Sequence, residues 1–179
     1  MARVSWRWPG QLNRYAAGER LVLMNDPTSI VTGHERLTSI FGGWPSFHDS
    51  EVLSIRLERE GDDRWASPVV YTTVHVFAAR RNEQSRTGVE FYNHTLVTFR
   101  FNLVVNLELS GFNQQNAIFD LIIEPSDEDS NETTIDVTFQ SSFGVGLTFS
   151  CQSVEIVDVE RRLPSNSVYL ETGSQSSAA

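Results

Sequence analysis

From Val97 to Leu109 every second residue is apolar, with Val97, Phe99, Phe101, Leu103, Val105, Leu107 and Leu109 on one side and Thr98, Arg100, Asn102, Asn106 and Glu108 on the other. A period of two is the signature of a half-buried β-strand and excludes a helix over the same residues. At ~3.3 Å per residue a straight strand of that length would reach about 40 Å, more than most strands in globular domains. The run is therefore expected to bend or break, with Asn102 as the weakest point, and to leave one continuous apolar face.

The rest of the chain reads in the same alphabet. Leu53, Ile55 and Leu57 alternate with Ser54, Arg56 and Glu58, and Gly61-Asp62-Asp63 closes that strand with turn chemistry. Val69–Phe77 is rich in β-branched residues, with Val70, Thr72, Val74 and Val76 on one face and Tyr71, His75 and Phe77 on the other, which suits a strand covered on both sides. ARRNEQSRTG after it reads as an exposed loop. Further strands are expected at Ala117–Glu124, around Ile135–Phe139, at Leu147–Cys151 beyond the turn of Gly144 and Gly146, and from Val154 to Val159. One short helix is expected near the start, opened by Thr32 or Gly33, carrying Leu37, Ile40 and Phe41 on one stripe and stopped by Gly42-Gly43. Leu21–Met24 reads as a further short strand. The fold class is thus mainly β: an antiparallel β-sandwich or a curled open sheet with a short N-terminal helix.

The chain has 179 residues, which fits one domain over 1–163 and a small polar tail from Pro164 that is expected to fray. Its formal charge is −9, and arginine supplies all the basic residues because there is no lysine. Such a field repels phosphate backbones and argues against direct nucleic-acid binding, while it would steer in a basic protein partner. The apolar runs are far shorter than the ~20 residues a membrane span needs. The N-terminal stretch lacks the apolar core of a secretory signal, and Cys151 is the only cysteine, so the expected compartment is the cytoplasm.

Chemistry-bearing residues gather in FGGWPSFHDSEV. His48, Asp49 and Glu51 are the candidates for metal binding or acid–base work. On a strand, His48 and Asp49 would face opposite ways, whereas Asp49 and Glu51 would share a face and could act as a carboxylate pair in a small hydrolase. The plainer reading makes Asp49 a turn residue and His48 a satisfied ring. His34, His48, His75 and His94 form no metal-binding spacing, so no metal or cofactor is expected. Cys151 alternates with Leu147 and Phe149 and reads as a buried thiol. The amides of Asn113–Asn116 either bond their own turn or, with Trp44 or Trp65, serve a carbohydrate-binding sandwich.

WPSFHDSEV at Trp44–Val52, LSGFNQQNAIFDLIIE at Leu109–Glu124 and SSFGVGLTFSCQSVEIVDVE at Ser141–Glu160, in that order, resemble the immunity protein 50 family of bacterial polymorphic-toxin systems. The similarity covers Phe41 to Glu160, and Ser50 stands where many relatives carry alanine. The resemblance implies a non-catalytic, mostly β protein that binds and neutralises a cognate toxin by occlusion, through a toxin surface expected to be basic. The residues implied as family-motif or binding positions are Trp44, Phe47, His48, Asp49, Glu51, Asn113 and Asn116. Aromatic and arginine side chains beside acidic ones are the expected anchors of such a contact.

Overall fold

The computed structural model describes residues 26–61, 66–84, 88–126, 134–165 and 167. A 3-10 turn at Pro27–Ser29 leads into β1 (Val31–Thr32) and α1 (Glu35–Phe41). The remaining strands are β2 (Glu51–Glu60), β3 (Ser67–Arg81), β4 (Val89–Asn102), β5 (Val105–Ser110), β6 (Ala117–Pro125), β7 (Ile135–Phe143), β8 (Gly146–Cys151) and β9 (Ser153–Glu160). They form one sheet in the order β1-β9-β4-β3-β2-β6-β7-β8-β5, mainly β and not closed, so the curled open sheet is the form adopted. Every pairing is antiparallel except the short β1–β9 contact. The expected Leu21–Met24 strand lies outside the described residues, as do Trp6, Trp8 and Trp65 and most of the acidic 125–132 loop.

Two arms make up this sheet. One is β1-β9-β4-β3-β2 and the other β6-β7-β8-β5; β2 and β6 join them by a single ladder position, Glu51 opposite Ala117. Beyond it the two strands part, and the inner faces of the arms close on each other over a common core. Phe101 of β4 spans that core, its ring 4.9 Å from Phe149 and 6.2 Å from Phe139, both edge-on. Offset and edge-to-face packing of this kind adds to the area the rings bury.

The long alternating run does break next to Asn102. Leu103 takes a left-handed backbone at φ 54, and β5 leaves the β4 arm to pair with β8 on the other. The expected continuous apolar face stops there. The turn advances the chain by one position, so Val104 enters the core while Leu103, Val105 and Leu109 are 42%, 51% and 43% exposed. Leu57 corrects the reading of β2 in the same way. A register shift between Val52 and Ser54 places Val52 in the core, and Leu57, at the end where β2 has parted from β6, is 57% exposed.

α1 is where the stripe of Leu37, Ile40 and Phe41 predicts it. Leu37 is fully buried, and Gly42 at φ 80 ends the helix with its N–H on the Thr38 carbonyl. ARRNEQSRTG is less of a loop than its polarity implies. β3 runs on to Arg81 and β4 starts at Val89, and Arg80 grips Glu90 across the strands through two bonds of 3.0 and 2.8 Å. Charged residues can occupy strands that project past the core.

Phe101 joins the arms through packing alone, so Phe101→Ala is expected to cost about 3–5 kcal/mol and to shift one unfolding transition as a whole. Urea denaturation followed by fluorescence and circular dichroism checks this; separate transitions for the two signals would show that the arms fold independently.

Candidate functional site

The motif Trp44–Val52 is the seam between the arms. Ser46 Oγ accepts the His48 N–H at 3.2 Å, and the Ser50 N–H returns to the Phe47 carbonyl at 3.0 Å, which makes a tight turn before β2. Asp49 sits in this turn at φ 64, a left-handed conformation that Asp tolerates better than most residues. Its N–H donates to the Ile118 carbonyl, the Ile118 N–H donates to the Ser50 carbonyl, and the Val52 N–H donates to the Asn116 carbonyl, each at 2.9 Å. The turn is thereby stitched to β6. Phe47 anchors it from below, fully buried between Trp44 at 5.6 Å and Phe99 at 6.0 Å.

Asp49 and Glu51 do not form the carboxylate pair considered from the sequence. The strand starts only at Glu51, so the two residues obey no common alternation. Asp49 is half-exposed, with Oδ2 3.0 Å from His48 Nδ1; the expectation that His48 and Asp49 point apart is overturned for the same reason. His48 also sets its ring edge-on to the exposed Phe119, centroids 5.0 Å apart.

Glu51 turns inward and is 4% exposed. Its Oε2 lies 2.7 Å from Nδ1 of the fully buried His75 on β3, and Ser167 Oγ donates to the same oxygen at 2.5 Å. With Glu51 as a carboxylate, which only accepts, the tautomer of His75 that satisfies this contact is the one with its N–H on Nδ1. Its Nε2 faces His94 Nδ1 at 3.0 Å. His94 reaches that position through the irregularity where β4 slips against β3 between Val76 and Ala78, with Asn93 at φ 55. Burial, and then His75 beside it, hold the His94 imidazole below its ordinary value.

A serine, a histidine and a glutamate in one cluster invite comparison with a nucleophilic triad, and the geometry differs. In a triad the hydroxyl and the carboxylate take opposite nitrogens of the imidazole. Here Ser167 donates to the carboxylate itself and approaches His75 only on the Nδ1 side, at 3.4 Å, while His94 occupies Nε2. The cluster fastens the chain after Leu163 to the sheet: Pro164 and Ser167 are buried, so the segment expected to fray from Pro164 starts out packed.

Asn113 and Asn116 bond their own turn. Asn116 Oδ1 accepts the Asn113 N–H, Asn113 Oδ1 accepts the Gln115 N–H, and Asn116 Nδ2 donates to the Asn113 carbonyl, all at 2.8 Å. The turn clasps Gly144, at φ 86, where a Cβ would lie 2.5 Å from the Gln115 carbonyl oxygen and 3.0 Å from each asparagine oxygen. Those amides are committed to the fold, and Trp44 leans on Phe47 and Phe99 instead of standing out as a sugar platform. Cys151 is buried as expected, its thiol pushed up to about 12 by burial. No cluster of three metal-ligating side chains occurs among the described residues.

Beside the seam lies a groove of about 520 Å³. Phe41, Trp44, Pro45, Ser46, His48 and Asp49 line one wall, and the projecting end of the β3–β4 hairpin, from Phe77 to Ala79 with Val89 and Phe91, lines the other. Phe77 links this wall to the buried cluster, with its ring 5.4 Å from His75, 5.8 Å from His94 and 5.0 Å from Phe91. The sequence motif thus lines one side of the groove, while Phe77, Phe91 and His94 come from a hairpin whose sequence reads as mere strand and loop.

The family model for Immunity protein 50 matches residues 33–161. The chain belongs to the immunity protein 50 family. The match begins at Gly33, so it includes α1 and reaches further toward the N-terminus than the Phe41 boundary expected from the motifs. No curated protein and no solved structure matches this chain.

Two outcomes follow from the seam. The buried Ser50 hydroxyl finds no hydrogen-bond partner among the described residues, so Ser50→Ala is expected to leave stability unchanged or to raise it by up to about 1 kcal/mol; a loss in urea denaturation would reveal a bond. His94 takes its proton less readily folded than unfolded, so its contribution to stability is full above its ordinary value of 6.5 and is lost as pH falls below it. Urea midpoints at about pH 7.5 and about pH 5.5 should therefore differ more for the wild type than for His94→Gln, and equal differences would contradict the assignment.

Proposed function

We propose that this protein neutralises a bacterial toxin by binding and occluding it in the cytoplasm of the producing cell, with no catalytic step of its own. The observation that carries this reading is the family membership over residues 33–161. The geometry supports it. Much of the motif's polar chemistry is used within the fold: Glu51 meets His75 and Ser167 in the interior, and the Asn113 and Asn116 side chains close their own turn, while Asp49 stays beside His48 at the half-exposed rim. The hydrolase reading needs Asp49 and Glu51 side by side, and the sugar-binding reading needs free amides next to a presented indole. Neither arrangement occurs among the described residues. The turn is hydrogen-bonded to β6 along the seam, and a pre-organised surface loses little freedom on docking. With a formal charge of −9, the protein would draw in a basic toxin domain and raise the association rate.

Co-expression with the toxin encoded by the neighbouring gene tests this. The expected result is growth of cells carrying both proteins, arrest of cells carrying the toxin alone, and recovery of the two as a complex in a pull-down. Arrest with both proteins present, or no complex, would count against it.

A further inference from the structure

We infer that the groove between the Trp44–Asp49 turn and the β3–β4 hairpin is the face that grips the toxin, and that it takes a segment presenting one bulky apolar side chain beside a lysine or arginine. This rests on the binding function proposed above and adds the contact surface and the chemistry of the partner. Three observations point to this place and to that occupant.

The first is composition. The groove is aromatic, with Phe41, Trp44, Phe77 and Phe91 contributing to its walls, and alanines at 78 and 79 leave room between them. A single large apolar side chain fits a pocket of about 520 Å³ that small residues keep open. The second is charge. Among the residues lining the groove Asp49 is the one Asp, Glu, Lys or Arg; its side chain is half-exposed at the rim, with His48 Nδ1 3.0 Å from its Oδ2. Among the described residues of the neighbouring hairpin, Arg80 is engaged with Glu90 and Arg81 with Glu83. An incoming cation therefore meets the Asp49–His48 pair and aromatic faces, with no lysine or arginine in the lining. The third is backbone geometry. Asp49 holds its carboxylate at the rim from a left-handed φ of 64, which costs energy for a residue other than glycine and is kept where the surroundings fix it.

A second charged and aromatic surface among the described residues is the outer rank Arg56–Tyr71–Arg100–Glu155, aligned across β2, β3, β4 and β9. Its charges are largely paired, although the buried Arg100 Nε has no acceptor among the described residues. Glu60 accepts from Tyr71 at 2.5 Å and from Arg100 at 2.6 Å, and the Arg56 guanidinium lies 4.2 Å from the centre of the Tyr71 ring. A partner would have to break those pairs, whereas the groove offers room that is unfilled.

The test measures affinity and association rate for the purified toxin domain of the neighbouring gene, together with growth rescue, using the full-length chain. Ala79→Arg fills the groove from an exposed position and adds a repelling charge. Asp49→Asn removes the charge with a residue that also tolerates the left-handed backbone. Glu108→Gln, exposed on β5, makes the same change in net charge on the far arm. The expected results are a loss of at least about 100-fold for Ala79→Arg with rescue abolished, a loss of about tenfold with weaker salt dependence for Asp49→Asn, and near-wild-type behaviour for Glu108→Gln, all with unchanged thermal unfolding. If the wild type binds and rescues while Ala79→Arg does so equally well, the groove is not the contact. If Ala79→Arg fails but Asp49→Asn matches Glu108→Gln, the basic element of the occupant is wrong. If the wild type itself neither binds nor rescues, the proposed function falls, and this inference with it.

Discussion

The buried carboxylate of Glu51 is the constraint around which this molecule is arranged. It stands at the one ladder position that joins the two arms of the sheet, bonds His75 of the next strand, and receives the Ser167 hydroxyl from the far end of the described chain. Burying a carboxylate is unfavourable unless it is hydrogen-bonded, and leaving such a group without a partner costs about 1–3 kcal/mol or more. Its main physical consequence is specificity of register. A one-residue slip of β2 would turn Glu51 toward solvent and leave His75 with no acceptor in the core. The arms therefore meet in one way.

That register positions the surface. With β2 held at Glu51, the preceding turn has to cross onto β6, where its backbone finds Ile118 and Asn116, and its two large rings fall on Phe99. The same strand pairing sends the β3–β4 hairpin past the core, and the register slip at Asn93 swings His94 onto His75. Phe77 then packs between the histidines and Phe91 and forms the far wall of the groove. The interior cluster and the exterior groove are two sides of the same few residues.

Period-two alternation made the strands legible, together with the break beside Asn102, and the Leu37 stripe with Gly42-Gly43 did the same for α1. The trp-pro-ser-phe-his-asp motif identified the family and the position of the seam, though its two carboxylates have different fates from those their spacing implies. The rest depends on contacts that no local pattern carries. Glu51 and His75 are 24 residues apart, and Glu51 and Ser167 are 116 apart. A histidine in the middle of a strand with apolar residues on both faces was the available sign that a buried partner must exist. Bulges were the other hidden term: the extra residue at Val52–Ser54 puts Val52 in the core, and the left-handed turn at Leu103 brings in Val104 while Leu103 and Val105 are exposed.

The proposed occlusion calls for a pre-organised surface more than for reactive groups, and this fold places Glu51, His75 and Ser167 in the interior, where they set geometry. Amide hydrogen exchange of the protein, free and bound to the toxin domain of the neighbouring gene, tests that account most directly. The account predicts slowed exchange on binding across residues 41–50, 77–79 and 89–91, with β5 and β8 unchanged. Protection concentrated on β5 and β8, with the seam and the hairpin unaffected, would contradict it.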